Sequence, residues 1–307
     1  MPTPVIIDCD PGHDDAMALL LALASPELEL VAVTTVAGNQ TLEKVTANAI
    51  RVLDVAGADA IPVAAGADRP LVHPARVAVE VHGETGLDGP ELRIPSRHPE
   101  PVHAVALMAR ALRERPLTLV PVGPLTNIAL LLALHPDVAE RIERIVLMGG
   151  AIAEGNVTPA AEFNIWCDPE AAQRVFSSGI DVTMVGLDVT HRALLSRERA
   201  EELRASGRAG AFAADLHAFY SRFHATIYHD AATPVHDALA VASLIRPELL
   251  RAERMAVEID ASTGICRGRT VVDRWGRTGR PASASVAIDV DGEAFIDLLC
   301  ARIASLG

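Results

Sequence analysis

Hydrophobic positions change period repeatedly along the chain, and the changes mark alternating strands and helices. Val5 to Ile7 is a short β-branched run. A polar turn follows directly, Asp8-Cys9-Asp10-Pro11-Gly12-His13-Asp14-Asp15, and then Ala16 to Ala24, which reads as helix. Leu28 to Val36 predicts a second strand. Leu42, Val45, Ala49, Val52, Leu53 and Ala56 recur at the spacing of one helical face, predicting an amphipathic helix over 41–56. Further strand-like runs at Leu117 to Val122, Arg144 to Met148 and Asp181 to Val185 each precede a helical segment. This alternation predicts an α/β fold, a central, mostly parallel sheet flanked by helices on both faces. The uncharged run Pro116 to Leu134 approaches the ~20 residues of a membrane span. Pro121, Gly123 and Pro124 divide it instead into strand, turn and a helix starting near Leu125. With no repeat and no low-complexity linker, a single domain over residues 1–307 is expected.

Ligands of such sheets bind beyond the carboxyl ends of the strands, so the segments that follow the strands form one candidate site. They are Asp8 to Asp15, Gly38-Asn39-Gln40, Gly123 to Asn127 and Met148-Gly149-Gly150. Asp8, Asp10, Asp14 and Asp15 crowd carboxylates around one strand-to-helix turn, where mutual repulsion raises their pKa values unless a cation offsets it. Asp14 and Asp15 alone are equally read as helix caps facing the helix dipole. Asp10, before Pro11-Gly12, is harder to explain that way. An all-oxygen donor set without nearby cysteine suits Ca²⁺ or Mg²⁺ rather than Zn²⁺.

Half of the 307 residues are hydrophobic but only 3% are aromatic, so Ala, Val, Leu and Ile must fill the core, as suits helices on a buried parallel sheet. The formal charge of −13 repels nucleic acid and anionic membranes and leaves a small neutral substrate unhindered. Lys44 is the only lysine, which argues against P-loop and Schiff-base chemistry, and no Gly-x-Ser-x-Gly elbow is present. Cys9, Cys167, Cys266 and Cys300 are scattered without metal-site spacing, so reduced buried thiols are expected. The N-terminus lacks a basic leader region, and with the thiols this points to the cytoplasm. Arg267, Arg269, Arg274, Arg277 and Arg280 read as a solvated or subunit-facing surface rather than a nucleic-acid patch.

The run Asp8 to Asp15 with Ala16 resembles the signature of the inosine-uridine type nucleoside hydrolases. Val36-Ala37-Gly38-Asn39-Gln40, His82-Gly83-Glu84-Thr85-Gly86-Leu87, Gly123-Pro124-Leu125-Thr126-Asn127, Met148-Gly149-Gly150, Ala161-Glu162-Phe163-Asn164, Asp168-Pro169-Glu170-Ala171 and Val235-His236-Asp237-Ala238 match further family segments in order. The resemblance covers essentially the whole chain. It implies hydrolysis of the N-glycosidic bond of ribonucleosides, one Ca²⁺ per subunit, and a homodimer or homotetramer. It also implies that Asp10, Asp15 and Asp237 are the metal carboxylates, with the Thr126 backbone carbonyl beside them. Asp14 falls on the ribose 2′-hydroxyl position, and Asn156, Glu162 and Asn164 on positions for the other hydroxyls, with Asn39 alongside. Met148 and Phe163 supply apolar walls, and His82 and His236 sit where the base is contacted. Asp10 is the implied general base. His236 is the implied general acid, its unperturbed pKa of ~6.5 lying near working pH.

Taken singly, several of these residues have plainer readings. Thr126 is an ordinary helix N-cap, Asn156 and Asn164 are turn residues, Glu162 is a surface charge, Met148 and Phe163 are core, and Asp237 caps a helix through Ala238 to Ile245. Their joint spacing favours the site. A His before the last metal aspartate resembles the branch accepting inosine, uridine or cytidine, so pyrimidine ribonucleosides are expected first, with inosine as a further substrate. Tyr220, His224 and Tyr228, in the divergent segment Tyr220 to Thr233, are either base contacts or surface residues. Two alternatives stand beside this reading: a metal-dependent phosphohydrolase with Asp8 as nucleophile, and a non-catalytic ribose- or nucleoside-binding protein.

Overall fold

The computed structural model describes residues 1–228 and 232–307, and only the backbone of residues 227 and 228, so Tyr228 as a base contact lies outside the described side chains. The strands are β1 (Thr3–Cys9), β2 (Leu28–Thr35), β3 (Val63–Ala65), β4 (Leu117–Pro121), β5 (Ile142–Met148), β6 (Val182–Val185), β7 (Leu194–Leu195), β8 (Thr233–Pro234), β9 (Leu250–Met255), β10 (Val257–Ile259), β11 (Thr270–Val272) and β12 (Ala284–Val290). One sheet has the order β3-β2-β1-β4-β5-β6-β12-β9. Its neighbours are parallel except β12 with β9. Successive strands run outward from β1 to one side and from β4 to the other. The crevice beyond β1 and β4 is therefore the topological switch point, where such sheets bind ligands.

Strand alternation divides the core between the two faces of the sheet. Val5, Ile7 and Cys9 of β1, Val120 of β4 and Val146 and Met148 of β5 pack with helices His13–Leu23, Leu42–Ala56, His236–Ile245 and Gly292–Ala304. Ile6, Leu117, Leu119, Ile145 and Leu147 face the other way, onto helices Ala104–Glu114, Thr126–Leu134 and Pro169–Phe176. A strand buried on both faces needs apolar residues at odd and even positions, which is why these strands read as continuous hydrophobic runs.

Several boundaries differ from the expected ones for physical reasons. The first helix begins at His13, not Ala16, so Asp14 and Asp15 occupy its first turn, where the helix dipole favours negative charge. The helix after β4 begins at Thr126 behind Leu125, and the last site helix begins at His236, so neither Thr126 nor Asp237 is an N-cap. Pro116 to Leu134 forms β4 and that helix, and among the described residues no helix is long and apolar enough to cross a membrane. All four cysteines are free, but only Cys9 and Cys167 are buried; Cys266 and Cys300 are partly exposed, which corrects the expectation of four buried thiols. Arg267 is not a solvated charge either, since it forms a two-pronged ion pair with Glu170 at 2.8 and 2.9 Å.

Asn127 joins three strand ends at the switch point. Its Nδ2 donates to Asp8 Oδ1 at 2.8 Å and to the Thr35 carbonyl at 2.9 Å, while its Oδ1 accepts from the Ala67 amide at 2.8 Å. Each buried group left unpaired costs roughly 1–3 kcal/mol. Asn127→Ala is therefore expected to lower stability by roughly 3 kcal/mol or more. Denaturant titration checks this, and an unchanged midpoint would show that the strand ends do not depend on the amide.

Candidate active site

The turn after β1 is organised around Asp15. Its Oδ1 accepts from the Asp10 amide and its Oδ2 from the Gly12 amide, each at 3.0 Å, so the first turn of the helix closes back on the strand that feeds it. Asn39, in the loop after β2, donates from its side chain to Asp15 Oδ2 at 3.0 Å and from its backbone to Asp10 Oδ2 at 2.6 Å. Asp10 is fully buried against two glycines: a Cβ on Gly38 would lie 2.2 Å from Oδ2, and one on Gly123 2.5 Å from Oδ1. No other residue fits there.

Asp14, Asp15 and Asp237 each bring a carboxylate oxygen within 4.8 Å of the other two, and Asp15 also reaches the Asp10 side chain. Burial first, then repulsion among the four, holds Asp10 and Asp237 well above the usual carboxylate range and pushes Asp14 up to about 8. No lysine or arginine offsets this charge among the described residues. Asp10 Oδ1 has no hydrogen-bond partner although it is buried. Crowded carboxylates, an orphaned inward oxygen and an all-oxygen donor set fit a hard divalent cation. The Thr126 hydroxyl donates to Asp168 Oδ2 at 2.7 Å, which ties the first residue of its helix to Asp168.

One cavity opens over the cluster, and Asp14, Asn39, His82, Met148, Asn156, Glu162, Phe163, Asn164, His236 and Asp237 all line it. Asp10, Asp15 and Thr126 do not line it, although Asp15 adjoins Asp14 and Asp237, which do. Glu162 is no surface charge: its carboxylate is buried, caps the helix Phe163–Cys167 by accepting from the Asn164 and Ile165 amides, and also accepts from the Gly150 amide. Burial pushes its pKa up to about 7. Asn164 spends its Nδ2 on the Val122 and Met148 carbonyls, and Asn156 Oδ1 accepts from the Phe163 amide at 2.9 Å. The Asn156 and Asn164 side chains thus brace the wall they line. Asp8 does not line the cavity; Thr34 and Asn127 hold its Oδ1, which argues against Asp8 as a nucleophile.

At the other end, His236 shares a 2.7 Å hydrogen bond from Nδ1 with Thr190 Oγ1 and meets the His191 ring edge-on. Burial, then His191, His224 and His82, lower its pKa well below the ordinary value, so the ring is neutral at pH 7. This corrects the expectation of a pKa near working pH. Tyr220 and His224 both line the cavity and pack edge to face at 4.7 Å. Sequence reasoning missed Ala78, Glu80, Val81, Val122, Val157, His191 and Phe223. His191 follows β6, so the rule about strand ends, carried one strand further, would have found it.

The family model for inosine-uridine preferring nucleoside hydrolases matches residues 5–297, and the chain belongs to that family of enzymes. A curated relative, the pyrimidine-specific ribonucleoside hydrolase RihA of Shewanella sp. (strain ANA-3), is 51% identical over 308 residues, covering 99% of this chain and 97% of the relative. Among solved structures, a plant nucleoside hydrolase, PpNRh1, has a TM-score of 0.95 at 34% identity, covering 99% of this chain and 100% of its own. A purine-preferring ribonucleoside hydrolase from Gardnerella vaginalis has a TM-score of 0.94 at 34% identity, covering 99% of each chain.

The carboxyl pKa values carry a stability consequence. In the cation-free protein Asp8, Asp14 and Glu162 keep their protons to about 6, 8 and 7, against ordinary values of 3.8, 3.8 and 4.5. Across that interval the unfolded chain holds fewer protons than the folded one, so raising pH favours unfolding. Chelator-stripped protein is therefore expected to lose thermal stability from about pH 4 to about pH 8, and divalent cation to raise the midpoint more at pH 8 than at pH 5. Melting curves with and without chelator check this. A stripped protein that gains stability toward pH 8 would overturn it.

Proposed function

We propose that the chain is a single-domain enzyme, residues 1–307, that hydrolyses pyrimidine ribonucleosides, uridine and cytidine first and inosine as a further substrate, with one Ca²⁺ per subunit. The observation that carries the reading is the cavity itself. Nine candidate substrate and catalytic side chains, Asp14 among them, line it together with Asp237, and Asp14 and Asp237 belong to the cluster of four buried carboxylates. The name of the RihA relative supports pyrimidine preference. Asp10, Asp15, Asp237 and the Thr126 carbonyl would hold the ion. When bound, the cation would orient the ribose diol and acidify a water molecule.

The remaining work falls to the side chains. Asp10, its Oδ2 held by the Asn39 amide and its Oδ1 free, takes a proton from water as the oxygen attacks C1′. The N-glycosidic bond breaks with its electron pair passing to the base, and the buried carboxylates favour the positive charge that develops on the sugar. Asp14, Glu162, Asn164 and Asn156, with Asn39 beside them, surround the ribose, while Met148 and Phe163 close the apolar wall. His236, its Nδ1 hydrogen-bonded to Thr190 Oγ1, acts as the general acid: the ring takes a proton from solvent, gives it from Nε2 to the departing base and returns to its neutral form. His82, which also lines the cavity, contacts the base. The acidic net charge suits a neutral nucleoside rather than nucleic acid, and a cytoplasmic homodimer or homotetramer completes the proposal.

Release of ribose from uridine without added phosphate, read as reducing sugar, tests the reaction and separates it from phosphorolysis. A site built to bond a hydroxyl rejects its absence by roughly 10⁴-fold, so deoxyuridine is expected to lose that much kcat/KM. Equal rates would count against Asp14 and its neighbours as ribose contacts. His236→Ala should lower kcat on uridine by roughly 10² to 10⁴-fold, with a smaller effect on KM. On p-nitrophenyl riboside, whose phenolate departs without a proton, the loss should be much smaller, whereas Asp10→Ala should depress both. Equal losses for His236→Ala on both substrates would make it a packing residue.

A further inference from the structure

The residue that holds His236 does not itself reach the cavity. Thr190 is fully buried and does not line the cavity, whereas His236 does, and a 2.7 Å hydrogen bond joins Thr190 Oγ1 to His236 Nδ1. The backbone on each side of this contact is fixed. Thr190 ends the short helix Leu187–Thr190, whose start is anchored where the Leu187 amide donates to the Gly150 carbonyl at 2.9 Å. Asp188 in the same helix accepts from the Ile152 and Ala153 amides at 2.6 and 3.1 Å. Beyond Thr190, β7 pairs with β8, Leu194 opposite Pro234 and Leu195 opposite Thr233, and the Val235 amide donates to the Ala193 carbonyl at 3.0 Å. Two segments distant in sequence are thus fastened together close to the point where their side chains meet.

A buried hydroxyl needs a partner, and a threonine in a helix ordinarily finds one in the carbonyl a turn back. Here the partner is an imidazole in the cavity wall, and the bond decides how that ring can stand. With Nδ1 committed to Thr190, Nε2 is the nitrogen left to meet a substrate. Turning the ring over would exchange Nδ1 with Cδ2 and break the bond. The edge-on contact with His191, 5.5 Å between centroids, limits the tilt of the ring but does not distinguish nitrogen from carbon. A hydroxyl both donates and accepts, so the contact holds whether or not Nδ1 carries a hydrogen, and the ring need not turn as Nε2 gains and loses its proton. We propose that Thr190 is a positioning residue for the hydrolysis, its hydroxyl setting the His236 ring with Nε2 toward the departing base. The inference rests on the nucleoside hydrolase reading of the cavity, with His236 as its acid.

Steady-state kinetics of the calcium-loaded enzyme test this with Thr190→Val, which keeps the branched shape and removes the hydroxyl, and Thr190→Ser, which keeps the hydroxyl. On uridine, Thr190→Val should lose roughly 10- to 100-fold in kcat, the cost of a misaimed group, with KM changing less. Thr190→Ser should recover most of that loss. On p-nitrophenyl riboside, whose phenolate needs no proton, Thr190→Val should lose little, a split that a general packing defect does not produce. In a His236→Ala background, adding Thr190→Val should cost nothing more on uridine, because the group being aimed is gone. Equal losses on the two substrates, full uridine activity in a folded Thr190→Val, or a further loss in the His236→Ala background each overturn the proposal. A crystal structure of the wild-type enzyme with calcium and a non-hydrolysable uridine analogue decides the matter even if no variant folds. The expected ring stays within hydrogen-bond reach of Thr190 Oγ1 on one side and of the base on the other; a ring that leaves Thr190 to meet the base overturns the proposal. If the wild-type enzyme releases ribose from no nucleoside, the functional reading fails instead, while the crystal structure still shows whether Thr190 holds the ring.

Discussion

Four carboxylates buried within reach of one another, with no lysine or arginine among the described residues lining the cavity above them, set the terms for the rest of this structure. Such a cluster repels itself, and in a low-dielectric interior it keeps protons or holds a cation. The surroundings limit the cost in two ways. Backbone and side-chain amides of Asp10, Gly12 and Asn39 are aimed at the carboxylates, and the first turn of the helix His13–Leu23 lends its dipole. Gly38 and Gly123 then let the chain close around Asp10 where any side chain would collide. The topology contributes as well, because only at the switch point do the loops after β1 and β4 leave a crevice between them.

Much of this was legible in the sequence, because the residues concerned are local to strand ends. The alternation of β-branched runs with helical faces carried the parallel sheet, and Asp8 to Asp15 carried the acidic turn. Register was less visible. Thr34 pairs with Asp8 across β1 and β2, and this placement, not its type, makes its hydroxyl the donor at 2.6 Å that holds Asp8 out of the site. Glu162 and Asn164 likewise read as a charge and a turn residue, and only the packing of Gly150 and Val122 against them reveals a buried cap and a brace.

The base wall was the least legible part, since its residues act through contacts distant in sequence. Thr190 meets His236 across 46 residues, and His13 meets His82 across 69. A histidine's role depends on which nitrogen carries the hydrogen, and a partner, not the histidine's own neighbourhood in sequence, decides that. The same fact corrects the expected pKa of His236. One histidine in water titrates near neutrality, but one buried beside three others is held neutral, and its Nδ1 is anchored by the hydrogen bond to Thr190 Oγ1.

This division also bears on specificity. The relative named as purine-preferring shares the fold at a TM-score of 0.94, so the fold by itself does not select the base. The cavity wall of His82, Tyr220, His224 and His236 carries the ring side chains able to meet a base. Aromatic faces there offer stacking that any base can use, which is permissive. Fixed donors and acceptors are not permissive, because a mismatched edge leaves a buried polar group unpaired, and the penalty for that exceeds what one extra stacking contact returns. A neutral histidine in such a wall therefore discriminates more sharply than a charged one, since an imidazolium donates from both nitrogens and reads every acceptor alike.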